Sequence, residues 1–384
     1  MKGIYLTLKD LYSIDEVDEL KSEDINLRSG FNLGNFAFRL GLSRIVNIED
    51  YVTHSFASVN EINQHLDNKF DRPTIISCAN WLGNNEASEL FNQKRYTSLK
   101  TLETKFVPFS IGVQNGNRHE LFKLKKHSLS LISLLSERSE QISVRDYYTQ
   151  NILEYNGIYN TRVTGCPSNF ISYHRDLGSI IEKKCNSLLL EHDLDSLKHH
   201  ICEYSQGHRF SQKVLLNTAR FLSKNVSSYV IQSPDLLSFS MNENIQIPYH
   251  YQRAFRFRHK TLRQKVMHFT NTVSWMNYSR GFDLSWGMRL HGNILPMQAG
   301  VPSLIITHDS RTEGLADTMA LPQMSIDQFI KYKPKEYSNV IVNSILEQVG
   351  LYDLKRQYLH NEFIEFIKVN KLEVNQGFAG MFDD

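Results

Sequence analysis

The run Arg289-Leu290-His291-Gly292-Asn293 packs the most chemistry into the least space in this chain. It follows an apolar, strand-like stretch, Phe282–Met288, and precedes residues 292–299, which read as a helix ended by Gly300 with Pro302 just beyond. These residues therefore sit on a strand-to-helix turn. A helix start offers free N–H groups and a partial positive charge, which suit an anion. Arg289 can grip a carboxylate or phosphate with two parallel hydrogen bonds. His291 titrates near neutral pH and can give or take a proton, and Gly292 lets backbone come close to a ligand. The same spacing would equally serve an arginine paired with an internal carboxylate and a histidine that caps the helix.

Other candidates are more scattered. Arg145-Asp146 follows the strand-like Ile142-Ser143-Val144. Asp146 suits the cap of the next helix, whereas an arginine exposed after a strand has no packing reason to be there. Gly30-Phe-Asn-Leu-Gly-Asn35 is a glycine turn before the helical Phe36–Gly41. Its Asn32, Gly34 and Asn35 could meet hydroxyls or a phosphate, or simply make a turn, since the spacing is neither a P-loop nor a dinucleotide fingerprint. Arg256-Phe-Arg-His-Lys260, with Arg263 and Lys265, is a basic cluster, either a solvated helix face or a contact for anionic lipid head groups or a lipid diphosphate. His119, His174, His199, His200, His208 and His308 show no metal-binding spacing, and no metal is expected. His308, beside a loop after a strand, is the second candidate for proton transfer.

These groups need strands to hold them. Thr74–Ala79, Phe106–Val113, Ile142–Val144 and residues from Arg162 read as strands alternating with helical stretches such as Leu129–Leu135. Residues 170–212 read as a polar helical link. Alternation resumes with strands expected at Lys213–Thr218, Ser228–Gln232, Phe269–Val273, Phe282–Met288 and Ser303–Thr307. Strands alternating with helices imply parallel sheets covered on both faces. The expected architecture is α/β: two Rossmann-like domains facing a cleft, 1–170 and 171–325, with a helical segment 326–384 crossing back to the first. In that segment Leu351, Leu354, Tyr358, Leu359, Phe363, Phe366 and Ile367 form an apolar stripe read as packing. Ligands of such sheets bind beyond the carboxyl ends of the strands.

Composition narrows the function. With 384 residues and 41% hydrophobic content the chain can build more than one core. Forty-three Lys and Arg against 41 Asp and Glu leave a net charge of +2, which does not suggest a nucleic-acid binder. Cys78, Cys166, Cys185 and Cys202 form no C-x-x-C pair and read as reduced thiols. The N-terminal stretch lacks the apolar core of a signal peptide and no apolar run approaches ~18 residues. The expected location is cytoplasmic, with peripheral contact at the inner membrane face left open.

The ordered set of motifs resembles the polysaccharide pyruvyl transferases. The resemblance rests on Arg289-Leu290-His291-Gly292 before a helix, then Ala299-Gly300-Val301-Pro302 and an apolar strand. Ile142–Asp146, Asn151–Ser168 and Ser303–Glu313 agree with it, and it spans roughly residues 30 to 325. Two positions depart from the family pattern: Asn35 stands where an acid is usual, and Cys166-Pro167 where Asp-Pro is usual. The resemblance implies a GT-B-like fold and phosphoenolpyruvate as donor, a co-substrate rather than a cofactor. It also implies transfer of a pyruvate ketal to a sugar of a bacterial-type surface polysaccharide or its lipid-linked precursor. Arg289, Leu290 and His291 would bind the donor with Gly292 and Asn293, Arg145 would reach it from the other domain, and Arg311 would assist. Asn32, Gly34 and Asn35 would face the acceptor. His291 is the candidate acid for protonating the enol carbon, and phosphate beside it would keep it charged near neutral pH. Two alternatives stay open: a nucleotide-sugar-dependent GT-B glycosyltransferase, and a non-catalytic relative acting as a scaffold in polysaccharide assembly.

Overall fold

Short β-branched and aromatic runs become parallel strands in the computed structural model, which describes residues 3–8, 10–56, 59, 72–114, 120–191 and 193–383. The first half holds β1 (Gly3–Leu6), β2 (Tyr51–His54), β3 (Thr74–Ser77), β4 (Leu82–Gly83), β5 (Phe106–Phe109), β6 (Val113–Gln114), β7 (Ile142–Val144) and β8 (Thr161–Val163). β2, β1, β3 and β5 form one parallel sheet in that order, while β4–β6 and β7–β8 pair separately. The second half holds β9 (His199–Cys202), β10 (Ser227–Val230), β11 (Val266–Met267), β12 (Leu284–Gly287), β13 (Ser303–Thr307) and β14 (Gln323–Ser325). These make one six-stranded parallel sheet ordered β11-β10-β9-β12-β13-β14. Counted from β9, the order is 3-2-1-4-5-6, the doubly wound arrangement, and the strand order reverses between β9 and β12. In the first sheet the reversal falls between β1 and β3. The fold is thus α/β with two parallel sheets, of the GT-B kind.

Three expected elements differ. Lys213–Thr218 lies inside the helix Ser211–Leu222, whose buried Val214, Leu215, Thr218, Phe221 and Leu222 recur at three- and four-residue spacing, the helical period. Of Phe269–Val273, none is in a strand. The pairing ends at Met267, and the Asn271 side chain accepts from Ser274 N to cap a helix over Thr272–Ser279. The stretch read as a helical link contains the helix Leu177–Glu191 but also β9, the central strand of the second sheet.

The apolar stripe of the tail is also shifted. In the helix Tyr352–Val369 the buried face is Tyr352, Arg356, Leu359, His360, Phe363, Phe366 and Ile367, while Leu351, Leu354 and Tyr358 are exposed. Phe366 packs edge-on against Phe109 of β5, with ring centroids 5.1 Å apart, so this helix lies against the first sheet. Among the described residues no helix is long and apolar enough to cross a membrane.

β9 is built on two buried histidines, one on each face of the sheet. His199 Nδ1 accepts from Trp286 Nε1 at 3.2 Å and His200 Nε2 accepts from Trp275 Nε1 at 3.0 Å. Indole N–H only donates, so both accepting nitrogens are unprotonated. Each ring proton therefore sits on the other nitrogen, facing Ser338 Oγ at 3.2 Å and Ser285 Oγ at 3.0 Å respectively. Burial pushes both pKa values down to about 3. The unfolded chain, with histidines near ~6.5, takes up protons first as pH falls, so stability is lost from about pH 6.5 downward toward 3. Each histidine contributes about 2 kcal/mol of loss by pH 5, roughly 4 kcal/mol for the pair. Urea unfolding across pH 8 to 5 checks this, and a midpoint that does not move would contradict neutral burial of β9.

Candidate functional site

Nearly every charged or amide side chain of the site follows a strand. Glu203 comes directly after β9, Gln232 shortly after β10, Arg289 and His291 after β12, and His308 after β13. From the first half, Thr7 comes after β1, Asn80 after β3 and Arg145 after β7. The site therefore lies at the reversal between β9 and β12, with residues beyond the carboxyl ends of the first sheet brought against it.

His291 is at its centre. It is buried on the first turn of the helix Leu290–Gln298, with Nε2 3.6 Å from Cys166 Sγ. That sulfur also takes a hydrogen bond from Ser168 Oγ at 3.1 Å. Burial first, then the positive charge of Arg145, Arg311 and Arg39, pushes the His291 pKa down to about 3. By itself the protein therefore keeps His291 neutral, because burial and these three arginines all oppose its charged form. His308 is similarly lowered to about 4 by burial, partly offset by Asp309, and its Nδ1 has no partner.

The arginines are anchored but not satisfied. Arg289 places Nε 3.4 Å from Glu203 Oε2. Arg289 is thus paired with an internal carboxylate while its side chain stays 24% exposed. Glu203 is fully buried and also accepts from Gln232 N (3.0 Å), Ser233 N (2.9 Å), Ser233 Oγ (2.5 Å) and Tyr251 OH (3.2 Å). Arg145 donates from Nη1 to Asn80 Oδ1 at 2.6 Å and lies over the Phe38 ring. Arg39 donates from Nε to Thr7 Oγ1 at 2.7 Å, and burial lowers its pKa to about 10. Arg311 pairs with Asp309 at 3.5 Å, and its pKa is lowered by burial and by the positive charge of Arg145 and Arg289. Among the described residues, buried Arg39 Nη1, Arg145 Nε, Arg289 Nε and Gln232 Nε2 have no hydrogen-bond partner. Unmet buried donors, three of them on guanidiniums, are what an oxyanion would satisfy.

The remaining expected residues divide. Asn293 does not face a ligand: Nδ2 donates to the carbonyls of Gly287 and Arg289, both at 3.0 Å, and Oδ1 accepts from Cys202 Sγ and Ser285 Oγ, both at 3.3 Å. It pins the turn that presents Arg289. Gly292 is needed for packing, because a Cβ there would lie 2.6 Å from Gln232 Nε2 and 2.8 Å from Cys202 Sγ. Leu290 packs its side chain against the main core. In the glycine turn, Asn32 Oδ1 accepts from Gly34 N at 2.9 Å and Asn35 Nδ2 donates to Ser29 O at 3.0 Å, so both side chains hold the turn. Asp146 caps its helix through Thr149 N at 2.7 Å. Of the basic cluster, Arg263 bonds Asn242 and Lys265 bonds Asn225, away from His291. His119 lies outside the described residues. Among the described residues no group of three or more His, Cys, Asp or Glu could hold a metal ion.

Arg39, Glu203, Gln232 and Cys166 are site residues that sequence reasoning did not single out. Only Arg39 carried a usable signal, a cation among apolar residues in the middle of the helix Asn35–Ile45, whose other arginine, Arg44, stands in the last turn.

The polysaccharide pyruvyl transferase family model matches residues 32–310, and the chain belongs to that family. No curated protein matches the sequence significantly. Solved structures with a similar chain course include Anabaena Alr3699/HepE in complex with UDP, at 12% identity over 97% of this chain and 98% of that one, TM-score 0.44. Another is an S. aureus MnaA–UDP co-structure, at 10% identity over 97% and 99%, TM-score 0.44. A third is a putative UDP-N-acetylglucosamine 2-epimerase from Listeria monocytogenes, at 10% identity over 97% and 98%, TM-score 0.44.

Gly34 joins the two halves of the site. A Cβ there would lie 2.3 Å from Gln232 Oε1 and 3.1 Å from His291 Cβ, while Leu33 N donates to Gln232 O at 2.9 Å. Gly34→Ala is expected to cost about 1–3 kcal/mol by overpacking. It should also weaken anion binding, because the helix carrying Arg39 must back away from His291. Thermal melts and titration with phosphoenolpyruvate read the two effects, and a variant unchanged in both would mean the contact is not tight.

Proposed function

We propose that this chain transfers pyruvate from phosphoenolpyruvate to two hydroxyls of a saccharide as a ketal, releasing phosphate. The observation that carries this reading is the convergence of Arg39, Arg145 and Arg311 on one buried histidine, with Arg289 beside Arg311 and donors left unmet on three of the four arginines. Carboxylate and phosphate together bring about three negative charges near neutral pH, opposite in sign to such a cradle. No metal is required for that charge balance if guanidiniums supply it. The acceptor in this reading is a sugar of a surface polysaccharide or of its lipid-linked precursor.

The chemistry needs a proton at the donor's methylene carbon, attack by a hydroxyl oxygen at C2, and departure of phosphate as the second hydroxyl closes the ketal. His291 is the acid in this reading. Kept neutral by burial and the arginines around it, it is charged by the donor itself, whose negative charge reverses that field. Donor binding at pH 7 should therefore take up a proton, read by calorimetry in two buffers of different ionisation enthalpy. His291→Gln should abolish that uptake, lower turnover by ~10²–10⁴-fold and leave donor affinity nearly unchanged. Near-normal turnover would move the acid role elsewhere, with His308 next to test.

Arg145→Ala and Arg289→Ala should each weaken phosphoenolpyruvate binding by about 2–4 kcal/mol without lowering the melting temperature to match. The deciding experiment is phosphate release from phosphoenolpyruvate with a panel of acceptor glycosides. Tight binding of a nucleotide sugar without phosphoenolpyruvate binding would replace this reading with a glycosyltransferase, and binding of neither donor would leave a scaffold.

A further inference from the structure

The chain between β10 and β11 makes a long excursion that leaves the carboxyl end of the second sheet, the end that carries Arg289 and His291, and returns to its amino end, where Lys265 bonds Asn225 and Ser227. Its later part holds the short helices Tyr249–Ala254 and His259–Lys265. No Asp or Glu occurs from Asn244 to Phe282, while Arg253, Arg256, Arg258, Lys260, Arg263, Lys265 and Arg280 do. The acid just before it, Glu243, is engaged with Ser22, accepting from its backbone N at 2.8 Å. Arg263 and Lys265 are tied to Asn242 and Asn225. Among the described residues, Arg253, Arg256, Arg258 and Lys260 are in no ion pair; Arg253, Arg256 and Lys260 are exposed and Arg258 half-buried.

The same excursion exposes apolar bulk. Five large hydrophobic side chains among the described residues are at least 75% exposed, and three of them, Ile245 (81%), Tyr249 (77%) and Phe257 (83%), are here. They are not loose ends. Ile247, Tyr251, Ala254, Phe255 and Leu262 alternate with them and are buried in the main core. The segment is therefore held firmly while presenting an aliphatic, a phenol and a phenyl side chain outward. The inward Tyr251 hydrogen-bonds Glu203, which holds Arg289, so the excursion is braced directly on the site.

We infer that the excursion 244–265 is a membrane-surface anchor that seats this flank of the second half on an anionic phospholipid bilayer. Uncompensated arginine and lysine give attraction to anionic head groups, and exposed Ile, Tyr and Phe give the apolar contact that a purely electrostatic patch lacks. The combination favours a bilayer over a soluble polyanion, to which exposed Phe257 and Ile245 add nothing. The inference is independent of the donor chemistry proposed above and would stand or fall without it.

The test uses the full chain and sedimentable vesicles, either of pure phosphatidylcholine or containing phosphatidylglycerol. Binding is expected only to the anionic vesicles, with release near ~1 M salt, where the screening length falls to ~3 Å. R256E/R258E/K260E should weaken binding by at least ~100-fold, from about fivefold per basic residue. Y249S/F257S keeps every charge and should still weaken it by roughly tenfold or more. Both should retain the wild-type melting temperature and phosphoenolpyruvate affinity. If the triple reversal melts early, F257S alone serves as the probe. Equal vesicle binding by wild type and variants, or no binding to anionic vesicles, would overturn the inference. So would release from vesicles by inorganic pyrophosphate, marking a discrete diphosphate site, or binding only to a soluble polyanion such as dextran sulfate.

Discussion

Positive charge gathered in a buried place has to be held there before any ligand arrives, and much of this structure follows from that constraint. Arg39, Arg145, Arg289 and Arg311 all act on His291 or on one another. Each guanidinium is fixed by a different device: a hydroxyl at Thr7, an amide at Asn80, and carboxylates at Glu203 and Asp309. Two neutral anchors and two acidic ones leave a net positive cradle. Full neutralisation would have removed the reason for an anion to enter. The cost of such charges is desolvation, which lowers the pKa of Arg39 and of Arg311, and at Arg311 repulsion by Arg145 and Arg289 as well.

Holding charges from two sheets in register requires a stiff link between the halves, and the tail helix supplies it. Arg356 is fully buried and donates to the carbonyls of Asn169 (2.9 Å), Ser172 and His174, three backbone acceptors in the segment that follows Cys166. Tyr352 OH donates to Asn169 Oδ1 at 2.7 Å and accepts from Gln298 Nε2 at 3.0 Å, while Gln298 Oε1 accepts from Ser172 N at 3.0 Å. Gln298 is the last residue of the helix that begins beside His291. One helix thus touches the site with its first turn and the inter-sheet link with its last. Displacement of the tail would be felt at Cys166 and His291 without any change in the residues around the anion.

What the sequence made legible follows from how each signal is encoded. Arg145, Arg289, His291 and Arg311 were readable because each stands just past an apolar strand, and the structure brings all four together. Most strands of both sheets were readable for the same reason. β9 was not, because His199-His200-Ile201-Cys202 has half its positions filled by a residue type that counts as polar. Its burial is made possible only by Trp275, Trp286 and two serines from distant elements. Missing β9 meant missing Glu203 directly after it, and with it the reversal point that places the site. Cys166 and Gln232 were hidden differently, since their roles arise from approach across the two halves, which no local pattern records. The tail stripe was displaced because Arg356, a charged residue, occupies the middle of the buried face and breaks the apolar count.

Glu203 also explains why the excursion after β10 can be polar and basic on its outside without loosening the site. Tyr251 and Tyr229 close over that carboxylate with their hydroxyls 3.3 Å apart, and burial together with the negative charge of Glu203 pushes both phenol pKa values well up. Neutral hydroxyls can donate to a buried carboxylate where ionised ones could not. The carboxylate in turn keeps Arg289 in place while leaving its Nε without a hydrogen-bond partner. The chain from Tyr251 through Glu203 to Arg289 thus alternates neutral donor, anion and cation. A contact on the outside of the excursion is therefore one hydrogen bond and one ion pair away from the cradle. Whatever rests against Tyr249 and Phe257 is mechanically close to the anion site, although it shares no atom with it.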